Sequence, residues 1–142
     1  MKTTAALFAA FTATASAFAP VNRPAFTSKL GVTIADGVEF DTVAREWRCK
    51  WSPDDEKASL VAAQKALEEV VGDIKGVEGV KDVSRVVCGG CLDFKVVTSL
   101  SAEDFGKWEE KGFVPEEAFL DKLKAIDGIS VVETQTYTLM PV

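Results

Sequence analysis

The sequence predicts an α+β sandwich in which a four-stranded antiparallel sheet carries two helices on one face. Two observations support this prediction. After residue 36, strand and helix periodicities follow one another in the order βαββαβ. The residues that mark the start and the end of the first helix also recur 49 positions later, around the second helix. Because βαβ connections are right-handed, two such halves place both helices on the same side of one sheet.

The first half begins with a strand and continues into a helix. Trp47, Cys49 and Trp51 alternate with charged residues, as in a strand with one apolar face. Ser52 and Pro53 then mark a helix start, because Ser accepts hydrogen bonds from the first helical turn and Pro fits its first position. Apolar residues recur at helical spacing through this helix: Leu60, Ala63, Leu67, Val70, Val71 and Ile74.

The second half repeats these marks. Gly79, after the first helix, corresponds to Gly128 after the second, and Ser52 corresponds to Ser101. A glycine in this position allows the chain to turn from a helix back to a strand. The remaining strands are predicted at residues 80–87, 92–98 and 129–139, from β-branched content and alternation.

The second helix is predicted in two pieces. It runs from Ala102, breaks at residues 112–115 and resumes at Glu116, because Pro115 disfavours helical geometry at the residue before it. The complete order is that of a ferredoxin-like α+β sandwich.

This order resembles the dimeric α+β barrel superfamily, and within it stress-responsive A/B barrel and antibiotic-biosynthesis-monooxygenase-type domains. The similarity covers residues 43–140 and is carried by the strands at 45–51 and 92–97 and by the split helix. In that helix Phe105-x-x-Trp108 is followed by Phe113-Val114-Pro115-x-x-Ala118-Phe119-Leu120. The last strand, 128–134, also resembles the ligand domain of leucine-responsive regulators, although no helix-turn-helix precedes it.

The resemblance implies a homodimer whose sheets pack face to face, with a ligand between sheet and second helix or inside the barrel. Members of the superfamily include cofactor-independent monooxygenases, haem-degrading enzymes, cyclases and proteins without known catalysis. The chain has no histidine. This excludes His-based catalytic triads and His-ligated haem chemistry, and we expect neither a cofactor nor a metal.

The first 36 residues have the character of a bipartite targeting sequence. Residues 1–17 combine Lys2, a short apolar run and an A-x-A pattern, as in a signal peptide. Residues 18–36 are basic, hydroxyl-bearing and free of acids until Asp36, as in a transit segment. The junction at residues 15–20, ASAFAP, resembles the plastid presequences of diatoms and related algae with secondary red-lineage plastids. The resemblance implies import into the plastid (chloroplast). Because no second apolar segment follows, we expect the stroma rather than the thylakoid lumen. The alternative is plain secretion with a chance Phe at this position.

The remaining domain, residues 37–142, holds 13 Lys and Arg against 21 Asp and Glu, a net charge of −8. This acidic balance argues against a nucleic-acid partner. No second apolar segment follows the signal peptide, so we expect no membrane span in the mature protein.

Two sets of residues are candidates for chemistry. The first is the ligand-pocket set: Arg48, Lys50, Lys95, Trp108 and Tyr137. If the first and third strands pair, the cations share one sheet face with Glu46 and Asp93, and in a dimer they suit a carboxylate- or phosphate-bearing metabolite. The phase of the last strand leaves open whether Tyr137 joins them. Trp108 is either core or the wall of a pocket beneath the split helix.

The second set is the redox pair Cys88 and Cys91. We expect Gly89 and Gly90 to form a two-residue hairpin turn with positive φ, which brings the flanking cysteines within disulfide range. Three alternatives remain: reduced cysteines in an ordinary hairpin, a reversible disulfide, or a metal site with Cys49 and an acid. Closing so short a loop contributes only roughly 2 kcal/mol, so a stabilising role is weak.

Two functional hypotheses follow. The first is a plastid small-molecule-binding barrel, with cofactor-free oxygenase- or isomerase-like chemistry as its enzymatic form. The alternative is a non-catalytic plastid module that binds another protein or responds to redox state. An acidic domain without histidine fits both.

Overall fold

The structure of this chain is a computed structural model that describes residues 31–142. The elements are β1 (Val32–Ala35), β2 (Val38–Phe40), β3 (Thr42–Lys50), α1 (Asp54–Lys75), β4 (Val80–Val87), β5 (Asp93–Leu100), α2 (Ala102–Glu110), α3 (Glu116–Lys124) and β6 (Ser130–Leu139). From β3 onward, this order confirms the predicted βαββαβ arrangement. The two predicted pieces of the second helix are α2 and α3.

The main sheet is antiparallel, with strand order β4-β5-β3-β6. Its centre is β3, which pairs with β5 on one edge and with β6 on the other. Because side chains alternate across a strand, the odd-numbered residues of β3 face the helices and the even-numbered residues face away. The core lies between sheet and helices, and its most buried large side chains include Trp47, Phe94 and Phe119.

An additional hairpin precedes the main sheet. β1 and β2 pair antiparallel around Asp36 and Gly37, and Gly37 has a φ of +73°. This hairpin is not among the predicted elements, although Asp-Gly between two β-rich segments is a strong hairpin signal. The predicted boundary between residues 36 and 37 falls inside its turn. The predicted signal peptide and most of the predicted transit segment lie outside the described residues.

The start of α2 follows the prediction closely. The start of α1 departs from it, because Asp55, Glu56 and Lys57 have left-handed φ values of 48°, 53° and 64°, and regular α-helical geometry begins only after Lys57. Ser101 caps α2, its Oγ accepting a hydrogen bond from the Asp104 backbone N–H at 3.2 Å. Ser52 Oγ accepts from the Asp54 backbone N–H at 3.1 Å, and Pro53 occupies the cap position, one residue before the predicted one. The apolar positions predicted for α1 all lie on or against the core.

The two predicted glycines link the halves of the fold reciprocally. Gly79 and Gly128 have φ values of +80° and +83°, which L residues rarely adopt. A Cβ at Gly79 would lie 2.4 Å from Asp104, at the start of α2. A Cβ at Gly128 would lie 3.2 Å from Ser52 and Ser59, at the start of α1. The turn that ends each half therefore packs against the helix start of the other half.

Gly79→Ala tests this close approach. We expect a loss of about 2–4 kcal/mol in the free energy of unfolding. Alanine disfavours the left-handed backbone φ of this position, and its methyl group overlaps Asp104. Urea denaturation of the wild type and the variant measures the loss. Gly112→Ala is the matched control, since its φ is also left-handed, at +69°, but a Cβ there meets no atom within 4 Å. Equal stabilities for the two variants would contradict the proposed contact.

Candidate functional site

The sheet surface that faces away from the helices carries a set of polar side chains, which we call the charged face. β3, β5 and β6 bring them into register, with Arg48 opposite Lys95 on one side and Glu133 on the other, and Lys50 opposite Asp93. The registers also place Gln135 beside Glu46 and Tyr137 beside Ala44. The charged face consists of Glu46, Arg48, Lys50, Asp93, Lys95, Glu133, Gln135 and Tyr137. Four of the five predicted ligand-pocket residues therefore lie together.

Each cation of the charged face has an acidic partner. Arg48 Nη2 lies 2.5 Å from Glu133 Oε2, and Lys50 Nζ lies 2.6 Å from Asp93 Oδ1. Hydrogen bonding to Lys50 is the main cause that lowers the pKa of Asp93, although desolvation opposes it. Three cations thus meet three carboxylates on this surface, including Glu46.

Glu46 is the most buried charged group of this face, with 5% of its surface exposed. Its Oε1 lies 3.5 Å from Lys95 Nζ and 3.9 Å from Arg48 Nη1, but accepts no hydrogen bond from the described residues. Its Oε2 accepts a hydrogen bond from the Tyr137 hydroxyl at 3.1 Å. A buried carboxylate oxygen without a donor is unfavourable, so this atom is a place where a hydrogen-bond donor adds stability.

This geometry changes the expected ligand chemistry. From the sequence, the three cations are expected to attract a carboxylate or phosphate, because their acidic partners cannot be assigned without the strand register. In the structure the carboxylates of Glu46, Asp93 and Glu133 already compensate these cations. The atom left without a hydrogen-bond partner is an acceptor, which suits a donor ligand better than an anion.

The fifth predicted pocket residue, Trp108, lies on the other side of the sheet. It is 2% exposed and packs against Trp47 and Phe113, with ring centroids 6.1 and 5.2 Å away. Trp47 and Trp51 are also buried, so all three tryptophans belong to the core. Trp108 and Arg48 therefore do not share one pocket.

Trp108 also borders a surface groove between the C-terminal end of α1 and α2. The groove has a volume of about 560 Å³, in the range of small-molecule sites. Its lining comprises Gly72, Asp73, Gly76, Val77, Glu78, Asp104, Lys107, Trp108, Lys111 and Val114. Because Trp108 is almost fully buried, the groove exposes little of its ring to a ligand.

A polar network on the helix side of the sheet was missed by the sequence analysis. Arg45 donates two hydrogen bonds to the Glu116 carboxylate, at 2.7 and 2.9 Å, and Trp47 Nε1 donates a third at 2.6 Å. The Arg45 guanidinium also lies 4.3 Å from the centroid of the Phe113 ring. This network attaches the α2–α3 break to β3. The signal was present in the sequence, since an arginine on the apolar face of a strand requires a buried partner.

The segment from Cys88 to Leu92 joins β4 to β5. The predicted two-residue turn at Gly89 and Gly90 is wrong, because Cys88 N–H donates to the Asp93 carbonyl at 2.9 Å and residues 89–92 form the loop. Leu92, with a φ of 58°, adopts the left-handed conformation that was expected of Gly89 and Gly90. Because Leu92 packs against the core, the register is shifted from the two-residue turn. The Sγ atoms of Cys88 and Cys91 form a disulfide, with Cα atoms 5.5 Å apart.

Within residues 31–142, no group of three or more His, Cys, Asp or Glu side chains is placed to hold a metal ion. Cys49 is a free, buried cysteine, and burial raises the pKa of its thiol to about 11. No helix in the same part of the chain is long and apolar enough to cross a membrane.

The sequence matches no protein-family profile and no curated protein. Among solved structures, it is similar to a candidate antibiotic biosynthesis monooxygenase from Caulobacter crescentus, with a TM-score of 0.52 and 12% identity over 72% of this chain and 92% of that one. It is also similar to a dimeric ferredoxin-like protein from an uncultured marine organism, with a TM-score of 0.50 and 13% identity over 72% and 90% of the two chains. These similarities confirm the ferredoxin-like α+β fold.

The titration of Tyr137 tests the geometry around Glu46. Desolvation, followed by the hydrogen bond and charge of Glu46, raises the pKa of Tyr137 from 10.0 to about 12. The folded state therefore favours the protonated phenol, and the associated stability is present below pH 10 and lost as the pH rises to about 12. Tyr137 is the sole tyrosine of the chain, so phenolate absorbance reports it directly.

We expect Glu46→Gln to lower the Tyr137 pKa but to leave it above 10.0, because desolvation remains. Glu117→Gln, on the exposed surface of α3, is the matched control and should leave the titration unchanged. Circular dichroism at each pH checks that the fold persists. A wild-type midpoint at the ordinary value in folded protein would show that Tyr137 does not contact Glu46.

Proposed function

We propose that this protein is a homodimeric α+β barrel of the plastid stroma that binds a small organic molecule between its two charged faces. The ferredoxin-like fold supports this proposal, because such a sheet has helices on one side only and leaves the other side available for a second sheet. The similarity to a dimeric ferredoxin-like protein supports the same arrangement.

The observation that carries the proposal is the environment of Glu46. A carboxylate on the outer surface of a sheet is ordinarily solvated, yet neighbouring side chains bury this one almost completely. Its Oε1 has no hydrogen-bond donor among the described residues. A ligand hydroxyl or neutral N–H group that reaches Oε1 supplies the missing bond.

Such a ligand must reach Glu46 past Lys95, whose side chain is 25% exposed and partly covers Oε1. Lysine side chains change rotamer readily, and the 3.5 Å contact between Nζ and Oε1 is longer than a good hydrogen bond. Displaced to one side, the ammonium of Lys95 stays close enough to stabilise negative charge on a bound molecule. The ligand class is therefore a neutral organic molecule with an acidic O–H, N–H or C–H group.

This arrangement supports proton transfer as the enzymatic form of the proposal. Glu46 accepts a proton from the bound molecule, Tyr137 orients the carboxylate through its 3.1 Å hydrogen bond, and Lys95 compensates the resulting anion. A proton-shifting isomerase returns that proton at another position. A cofactor-free oxygenase instead lets the substrate anion react with dioxygen. Both need a carboxylate base and an enclosed site rather than histidine.

Dimerisation provides the enclosure. The charged face carries balanced charges, so a second copy can pack against it without bringing together two surfaces of strong like charge. Val86 of β4 lies at the border of this face, opposite Lys95, and is 44% exposed. Val87, its neighbour, is 42% exposed but faces the helix side, opposite Phe94.

Native mass spectrometry of protein isolated from its own cells tests the dimer and the ligand together. We expect a dimer that retains a small molecule, and we expect Glu46→Gln to release that molecule while the dimer persists. Val86→Glu should weaken the dimer about tenfold or more, because it adds a fourth carboxylate to each charged face and so unbalances the charges that the two copies bring together.

Val87→Glu is the matched control for the interface, since it adds the same charge at equal exposure on the opposite face. It should leave the dimer intact. A monomeric wild type, or equal effects of the two substitutions, would contradict the face-to-face dimer. A dimer without any retained molecule would instead favour the non-catalytic regulatory hypothesis.

The plastid location rests on the ASAFAP junction at residues 15–20. We expect residues 1–36 fused to a fluorescent protein to enter the plastid of a diatom. Phe18→Ala should divert the fusion to the secretory route, because Phe18 is the residue that cleavage after Ala17 exposes. Phe26→Ala, in the same segment, should have no effect. Fluorescence microscopy reads the result, and plastid import of the Phe18→Ala fusion would contradict the assignment.

A further inference from the structure

The disulfide loop at the tip of the β4–β5 hairpin is accessible from solvent. Gly89, Gly90 and Cys91 are exposed, and a Cβ built at either glycine meets no atom within 4 Å. The space around the two glycines is therefore open, and a second protein can approach the Cys88–Cys91 bond from that side. Exposure of this kind distinguishes exchangeable disulfides from those sealed in a core.

The loop is connected to the charged face through Lys50. Its Nζ donates a hydrogen bond to the Cys91 backbone carbonyl at 2.7 Å and lies 2.6 Å from Asp93 Oδ1. The ammonium is thus held between the loop and the face. The carbonyl that it binds belongs to one of the two residues that the disulfide constrains, so the position of this carbonyl depends on whether the loop is closed.

We propose that Cys88 and Cys91 form a dithiol–disulfide exchange site whose oxidation state determines whether Lys50 is tied to the loop or free to act on the charged face. The closed loop presents the Cys91 carbonyl to Lys50. The reduced loop, with two adjacent glycines, samples other conformations and releases that contact. The partner is a protein or small molecule that carries a dithiol.

The exchange step is balanced by the partner dithiol. One partner thiolate attacks a sulfur of the Cys88–Cys91 bond, that bond breaks, and a mixed disulfide forms. The second partner thiolate then attacks the partner's sulfur in the mixed disulfide and displaces the cysteine that is still bonded to it. Two electrons and two protons pass to Cys88 and Cys91, and the partner leaves as its own disulfide.

The third cysteine does not compete in this exchange. Cys49 is 1% exposed and lies on the helix side of β3, opposite Phe94. Burial and the charge of Asp93 raise the pKa of its thiol to about 11, so almost no thiolate is present near neutral pH. The pair therefore exchanges without scrambling to Cys49.

Cysteine alkylation tests the exchange itself. The full chain, purified without reductant, is treated with iodoacetamide before and after incubation with dithiothreitol, and intact masses are recorded under native conditions. We expect no label before reduction and two labels after it, with Cys49 unlabelled in both. In a reduced sample that has not been alkylated, replacement of dithiothreitol by oxidised glutathione should re-form the disulfide, so that iodoacetamide added afterwards leaves no label. Labelling of Cys88 and Cys91 without reductant, or a bond that does not re-form, would overturn the proposal.

Lysine acetylation tests the link to the charged face. Loss of one hydrogen bond predicts a rise of about fivefold in the reactivity of Lys50 with acetic anhydride when the loop is reduced. Lys81 is the matched control, because its Nζ also makes two hydrogen bonds, to the Asp41 carbonyl and Thr42, remote from the loop. Peptide mass spectrometry measures both sites. Equal reactivity of Lys50 in the two states would overturn the link.

The double variant Cys88→Ser/Cys91→Ser should show the reduced-state reactivity of Lys50 with and without dithiothreitol. If its reactivity instead stays at the level of the disulfide form, loop closure does not control Lys50. Any consequence for ligand binding rests on the proposed function of the charged face. The alkylation and acetylation measurements use no ligand, so failure of the exchange site is distinguishable from failure of the ligand site.

Discussion

The structure depends on the pairing of β3 along both of its edges. A strand bonded on one edge can shift its register, but β3 is held by β5 and β6 at once. Its period of two then assigns every side chain to one of two environments. Trp47 and Cys49 enter the core with Arg45, while Glu46, Arg48 and Lys50 form the centre of the charged face. One strand thereby supplies both the packing of the domain and its candidate chemistry.

The sequence predicted most of the fold because its patterns are local. The period of β3, the Ser caps and the helix break at Pro115 each depend on residues within a few positions of one another. The β1–β2 hairpin was missed because the acid-poor segment before Asp36 was assigned to targeting. The loop after Cys88 was mispredicted because its register depends on Leu92 packing into the core, which is a tertiary effect.

The candidate site was predicted in composition but not in electrostatics. Alternation was enough to place Arg48, Lys50 and Lys95 on one surface. It could not show that Glu133 and Asp93 lie within ion-pair distance of these cations, because that requires the registers of β5 and β6. Nor could it show that Tyr137 bonds Glu46, since the phase of the last strand was ambiguous. The Arg45–Glu116 contact joins residues 71 positions apart, so it too could not be predicted from local sequence patterns.

The reciprocal contacts of Gly79 and Gly128 have a consequence for how the domain assembles. Each glycine closes its own half against the first helical turn of the other half, at Asp104 and at Ser52. Neither half therefore carries all the surfaces that its own final turn needs. We therefore expect that the two halves, separated by a cut between Gly89 and Gly90 and by reduction of the Cys88–Cys91 disulfide, fold only when they are mixed. Any duplication of an ancestral half would have required that half to associate with a second copy of itself from the start.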